Sequence, residues 1–144
     1  MDLTGTAALV TGGGGLIGSH LAGQLQAEYE ADVRVADDFS KGERDRVPDG
    51  VDVIEADLTD ETETHEAVTA DLDVVFHLAA YTDTNFDDDR RLFEENTEMT
   101  YNVLEAMDDA GVEHLAFTSS STVYGEAPRP TPEDYAPLEP ISIY

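Results

Sequence analysis

Cysteine is absent from this chain, lysine occurs once, at Lys41, and no uninterrupted apolar run is long enough to span a membrane. The first absence excludes a disulfide framework and thiolate metal sites, which is compatible with a cytoplasmic protein. The second leaves 7 Lys and Arg against 33 Asp and Glu, a net charge of −26 and a pI near 4.1. So few cations cannot form a basic face, so nucleic acid and anionic membrane surfaces are not expected partners. The third, together with the lack of a secretory signal, points to a soluble globular chain. Internal repeats and low-complexity tracts are missing too.

What is present fits one domain. The chain has 144 residues, 40% of them apolar, enough for a real core. Its carboxylates are interleaved with helix and strand patterns over the whole length, whereas an acidic disordered segment would be a block of like charge. The expectation is a halophilic surface. Dense carboxylates keep a protein hydrated when salt has shortened the Debye length to about 3 Å at 1 M, and that screening suppresses their mutual repulsion. The clusters Asp87-Asp88-Asp89, Glu94-Glu95 and Asp108-Asp109 lack the spacing and turn glycine of a calcium loop. They are read as solvated helix faces, and no metal site is expected.

Strand and helix patterns alternate from end to end, the signature of an α/β fold with a doubly wound parallel sheet. The periodicities predict strands at 6–11, 32–37, 51–55, 73–78 and 114–119, and helices at 16–28, 61–70 and 91–110, the last closed by Gly111. The runs 74–78 and 115–118 read as buried strands ending in polar residues. In such sheets ligands bind beyond the carboxyl ends of the strands, where every polar motif of this chain falls. After Gly125 a proline-punctuated stretch excludes helix and central strand.

Between the first strand and the first helix lies Thr11-Gly-Gly-Gly-Gly-Leu-Ile-Gly18. Gly13, Gly15 and Gly18 fit one phosphate-loop register, and Gly12, Gly15 and Gly18 fit another. Either serves the same chemistry: a sharp turn, close approach of backbone N–H groups to a pyrophosphate, and a helix N-terminus aimed at it. Asp37 follows Gly18 by nineteen residues at the end of the second strand pattern. A carboxylate about 20 residues on is where a ribose 2′-OH is bound. Its charge would repel a 2′-phosphate, which favours NAD over NADP; Arg34 and Lys41 are the nearby residues that could argue otherwise.

Taken together, the 11–18 loop, Asp37, Ala56-Asp-Leu58, His77-Leu-Ala-Ala80, Asn96 and Thr118-Ser-Ser-Ser-Thr-Val-Tyr-Gly125 resemble the extended short-chain dehydrogenases, specifically the NAD-dependent nucleotide-sugar epimerases and dehydratases. The resemblance covers essentially the whole chain and implies a Rossmann-type NAD-binding domain over 1–144, incomplete at its C-terminus. It also implies that Gly12, Gly15, Leu16, Ile17 and Gly18 line the pyrophosphate, and that Asp37 and Asp38 border the adenosine ribose. Asp38 stands where the family commonly has asparagine. Asp57 and Leu58 would flank the adenine, and Leu78, Ala79 and Ala80 the nicotinamide side, with Asn96 on the long helix beneath. His77 is read as a hydrogen-bonded strand-end histidine without a proton-transfer role.

By the same resemblance, Ser120 matches the catalytic Ser/Thr position and Tyr144 the catalytic tyrosine. A phenol with a pKa near 10 is a poor base at neutral pH, so the family places a lysine four residues later to depress it. Ser120 would orient the sugar hydroxyl, Tyr144 take its proton and NAD the hydride. The sequence stops at Tyr144, so that lysine and the sugar-binding region are not in it. The chain is expected to be the cofactor-binding half of an enzyme, with little or no turnover alone. Ser120-Ser121-Thr122-Val123-Tyr124 lacks the acid pair of the 4,6-dehydratases, which favours an epimerase acting on a UDP-sugar. Another NAD-dependent sugar dehydratase, dehydrogenase or reductase, a non-catalytic NAD-sensing module and a structural half remain as alternatives. A homodimer through a helix bundle that includes residues 91–110 is also implied.

Overall fold

The computed structural model describes residues 1–82 and 89–140; Asp87 and Asp88 of the first acidic cluster, and Tyr144, lie outside them. Five parallel strands, β1 (Ala7–Thr11), β2 (Asp32–Asp37), β3 (Asp52–Glu55), β4 (Val74–His77) and β5 (Leu115–Phe117), form one sheet in the order β3-β2-β1-β4-β5. Three helices connect them: α1 (Leu16–Tyr29), α2 (Glu61–Ala67) and α3 (Asp89–Ala110). The Rossmann-type parallel sheet expected from the sequence is therefore present. None of the described helices is long and apolar enough to cross a membrane.

Side chains alternate across a strand, and the alternation divides the core in two. Ala8, Val10, Val33, Val35 and Val74 pack with Ala22 and Leu25 of α1 on one face. Leu9, Ala36 and Val75 pack on the other with Ala67 of α2 and with Val103, Ala106 and Met107 of α3, a stripe spaced at three and four residues. Leu9, Val10, Val35 and Val75 are fully enclosed. Each such side chain contributes about 1.5–3 kcal/mol of burial free energy, which holds the strand ends, and hence the loops above them, in place.

Helix ends follow their local chemistry. Asp60 caps α2, its carboxylate accepting the N–H groups of Thr62 and Glu63 at 2.8 and 3.0 Å. Replacing it with alanine is expected to cost about 1 kcal/mol, read as a lower midpoint in urea unfolding; an unchanged midpoint would show that the cap contributes nothing. Gly111 ends α3 with φ +74 as expected, the next N–H returning to the Met107 carbonyl at 2.9 Å. Two expectations are corrected. α2 stops at Ala67, because Val68 turns extended and Thr69 donates its hydroxyl to the Asp71 carboxylate at 2.6 Å instead of continuing the helix. The sequence reads β5 as buried, yet Leu115 and Phe117 are 37% and 56% exposed, because among the described residues the strand has β4 alone beside it and belongs to neither core cluster.

Candidate functional site

The chain runs from β1 outward to β2 and β3 and then crosses back to lay β4 on the other side of β1, and such a switch point leaves a crevice beyond the carboxyl ends of the strands. Here it is a cleft of about 1210 Å³. All the described residues singled out from the sequence for cofactor contact line it, as does Ser120. A shallower groove of about 540 Å³ runs along α1 past His20 and Gly23 and touches only Leu16 of that set.

At the middle of the cleft the chain turns on Gly12, whose φ of +69 lies in the left-handed region. A Cβ there would sit 2.8 Å from the Ala79 nitrogen, and one at Gly18 would sit 2.2 Å from the Gly12 carbonyl oxygen. The helix thus rests directly on the turn, as the register with Gly12, Gly15 and Gly18 requires. Gly13 is needed as well, since its Cβ would meet Val35 at 2.3 Å. Gly15 opens α1 without a side-chain cap, so the N–H groups of the first turn and the positive end of the helix face the cleft. Leu16 and Ile17 beside them are 66% and 69% exposed. A dinucleotide pyrophosphate fits this place: the glycines bring no Cβ into it, backbone donors are available, and the helix N-terminus contributes a positive partial charge.

On the β2 side, the Asp37 carboxylate accepts N–H groups from Gly14 and Phe39, each at 2.8 Å. A carboxylate has about four acceptor positions, so capacity remains for ribose hydroxyls. Asp38 uses one oxygen to accept the N–H and hydroxyl of Ser40 at 2.9 and 2.8 Å. An asparagine carbonyl would serve equally, so the departure from the family residue leaves this turn intact. Arg34 is committed elsewhere: its guanidinium binds Thr69 and Asp71, in the turn before β4. That contact holds the Asp71 carboxyl well below the usual carboxylate range, helped by the Thr69 hydroxyl. Lys41 lines the cleft beside Asp38, far along the sheet from Ser120.

The Leu58 carbonyl accepts from the Thr64 hydroxyl at 3.1 Å and from the buried Asn102 amide at 2.9 Å, which pins the Asp57-Leu58 turn onto α2 and α3. At the end of β4, Thr11 and His77 are fully enclosed and hydrogen-bonded to each other at 2.8 Å. Burial pushes the His77 imidazole down to about 4, so it is neutral over the ordinary pH range, and its ring stacks on Phe117. Asn96 on α3 clamps the Tyr81 backbone, accepting its N–H at 2.7 Å and donating to its carbonyl at 3.1 Å. At the β5 end, the Ser120 hydroxyl oxygen accepts the Thr122 N–H at 3.2 Å and lies 2.9 Å from the Thr122 hydroxyl. Among the described residues no group of acids or histidines could hold a metal ion.

Sequence reasoning did not single out Thr64, Thr100 or Asn102, nor any role for the Thr11 hydroxyl. The signal available was weak: small polar residues interrupting apolar stripes, such as Asn102 directly before Val103.

Residues 8–144 match the sequence profile of the NAD dependent epimerase/dehydratase family. The chain is 37% identical over 131 residues to a UDP-N-acetyl-alpha-D-glucosaminuronate decarboxylase of Bacillus cytotoxicus, an alignment covering 88% of this chain and 40% of the relative. It is 31% identical over 142 residues to the UDP-glucose 4-epimerase of Streptococcus mutans, covering 96% and 43%. Among solved structures, the UDP-glucose 4-epimerase of Thermus thermophilus in complex with NAD superposes with a TM-score of 0.82 at 36% identity, covering 96% of this chain and 46% of that one. The chain spans less than half the length of these relatives. With the glycine turn, the acid that ends β2 and the serine beyond β5 all on one cleft, the match is to the part of the fold that carries the family's motifs, and the chain belongs to the NAD-dependent epimerase/dehydratase family.

Proposed function

We propose that the chain binds NAD along this cleft and is the cofactor-binding part of a nucleotide-sugar epimerase. The observation that carries the reading is the continuity of one cleft from Asp37, past the Gly12 to Gly18 cradle, to Ser120. Three strand spacings separate β2 from β5, about 14 Å, room for a dinucleotide laid across the strand ends. Gly12, Gly15 and the first turn of α1 would hold the pyrophosphate, Asp37 the adenosine ribose, and Leu78 to Ala80 the nicotinamide side. Bound there, NAD would supply a hydride acceptor for a sugar carbon bearing a hydroxyl. Ser120 would orient that hydroxyl through its Oγ, held in place by Thr122. Tyr144 as the group that takes the proton rests on the family resemblance.

The test separates cofactor from reaction. NAD is expected to bind the 144-residue chain at least about tenfold more tightly than NADP, because the Asp37 charge opposes a second phosphate; tenfold is about 1.4 kcal/mol. Asp37→Asn should narrow that ratio, and equal affinities in calorimetry for the unsubstituted chain would overturn the assignment of Asp37. The chain alone is expected to show little or no turnover. In a protein joining it to a sugar-binding half, interconversion of UDP-glucose and UDP-galactose selects the epimerase. The identity with the Bacillus cytotoxicus decarboxylase supports a second reading, which carbon dioxide release from the corresponding UDP-uronate would select.

The acidic surface extends the proposal to a halophilic setting. The unfolding midpoint should rise by several degrees between about 0.1 M and about 2 M KCl as the Debye length drops below about 10 Å and carboxylate repulsion fades. A midpoint that falls with added salt would exclude it.

A further inference from the structure

β4 ends at His77, and the next four residues, Leu78 to Tyr81, have no strand ladder to hold them, yet they form one wall of the cleft. Side chains take the place of the ladder. The Leu78 and Ala79 N–H groups both donate to the Thr11 hydroxyl oxygen, each at 3.1 Å. The Tyr81 N–H and carbonyl are both met by the Asn96 amide, at 2.7 and 3.1 Å. One end of the segment is therefore held by β1 and the other by α3.

These two holders are themselves joined. Thr11 Oγ1 is 2.8 Å from His77 Nδ1, His77 Nε2 is 3.3 Å from Thr100 Oγ1, and Thr100 Oγ1 donates to the Asn96 carbonyl at 2.9 Å. The proton positions follow by elimination. Thr100 spends its hydrogen on Asn96, so it accepts from His77 Nε2–H. That leaves Nδ1 as an acceptor, filled by the Thr11 hydroxyl, whose oxygen is free to take the two segment N–H groups. Along this path the donors point one way, from the Leu78 and Ala79 N–H groups through Thr11, His77 and Thr100 to the backbone of Asn96.

We propose that His77 and Thr100 are positioning residues, closing with Thr11 and Asn96 a hydrogen-bonded ring that holds the 78–81 segment against Gly12 and thereby sets where the nicotinamide half of a dinucleotide lies. The inference rests on the NAD reading above. Gly12 shows why the placement matters, since the distance from its missing Cβ to Ala79 is 2.8 Å and leaves no slack between turn and segment. The ring's hydrogen bonds do not include Asp37, Asp57 or Leu58, the adenosine side of the cleft. Loss of the ring should therefore weaken contacts on one half of the ligand and spare the other, a split that general destabilisation does not produce.

The experiment compares NAD with AMP, the adenosine half alone, by calorimetry on the 144-residue chain. Removing the His77 imidazole outright risks the fold, so the primary variant is Thr100→Val, which keeps shape and deletes the hydroxyl; Thr100→Ser restores it. Thr100→Val is expected to weaken NAD about tenfold and AMP less than twofold, with Thr100→Ser recovering at least half of the loss on a logarithmic scale; tenfold corresponds to about 1.4 kcal/mol. His77→Gln, if folded, should show the same split. Unchanged NAD affinity in Thr100→Val, or equal losses for NAD and AMP, overturns the positioning role while leaving the NAD reading in place. An unsubstituted chain that binds neither ligand overturns that reading and this inference together.

Discussion

Replacing Gly18 with alanine is expected to weaken NAD binding at least about 100-fold, roughly 2.7 kcal/mol, in calorimetric titration. The added methyl would stand 2.2 Å from the Gly12 carbonyl oxygen and 2.8 Å from its carbon. Neither is the tip of a flexible side chain. Both belong to a turn held from below by the Gly12 N–H bond to Ala36 at 2.8 Å and closed above by the Gly15 N–H bond to Gly12 at 3.0 Å. Relief comes by lifting the start of α1, which withdraws the first-turn N–H groups from the position proposed for the pyrophosphate. Overpacking of this kind costs about 1–3 kcal/mol in stability, so the variant should also unfold earlier. Gly23→Ala is the control on the same helix. Its Cβ would meet only the Pro48 side chain, at 3.3 Å, and alanine favours the helix by up to about 1 kcal/mol. It should bind NAD as the unsubstituted chain does. A Gly18→Ala chain that binds within a few fold of the original would mean that the helix N-terminus is not where the phosphates sit.

The second large effect is on stability against pH. His77 is 1% exposed and bonded to two hydroxyls, with no carboxylate among its hydrogen-bond partners, and burial lowers its pKa to about 4 from an ordinary 6.5. In that interval the unfolded chain holds a proton on this imidazole and the folded chain does not. Its full contribution is therefore present above pH 6.5 and is lost as pH falls toward 4, at about 1.36 kcal/mol per unit, in total about 3 kcal/mol. Against a typical domain stability of about 5–15 kcal/mol this is a large share. His77→Gln removes the titrating group, and only the slope against pH, not the variant's absolute stability, is compared. Urea unfolding at neutral and mildly acid pH, in the same salt, should show a steeper loss for the original chain than for the variant. The carboxylates common to both cancel in the difference. Equal slopes would mean that the imidazole stays accessible to protons in the folded chain.

The fold was legible because its signals are local and periodic. The short apolar runs in 7–11, 32–37 and 74–77 and the three-and-four spacing of Val103, Ala106 and Met107 each belong to a single element. The misreadings concern what lies beside an element. Leu115 and Phe117 look like core residues in sequence, and only the strand order shows that β5, among the described residues, has a neighbour on one side alone. α2 ends three residues sooner than its pattern suggests because the local Thr69 to Asp71 bond is reinforced by Arg34 of β2, a partner 35 positions away that the pattern does not show. At the site the glycines and Asp37 announced themselves by spacing. Thr11, Thr100 and Asn102 did not, because a threonine or asparagine on a core-facing stripe acquires meaning only when its partner 23, 44 or 66 positions away is brought alongside.

The grip of Arg34 on Thr69 and Asp71 carries an implication for how such a chain can change. It ties β2 to the turn before β4, at the end of the sheet remote from the cleft. Anchorage and chemistry are thus assigned to opposite poles of the same strands. Substitutions accumulating at the anchoring pole can retune tolerance to heat or brine without disturbing the ligand. Those at the other pole can alter what the cleft holds on an undisturbed base. A lineage built this way can adapt to a new habitat and to a new substrate as separate steps.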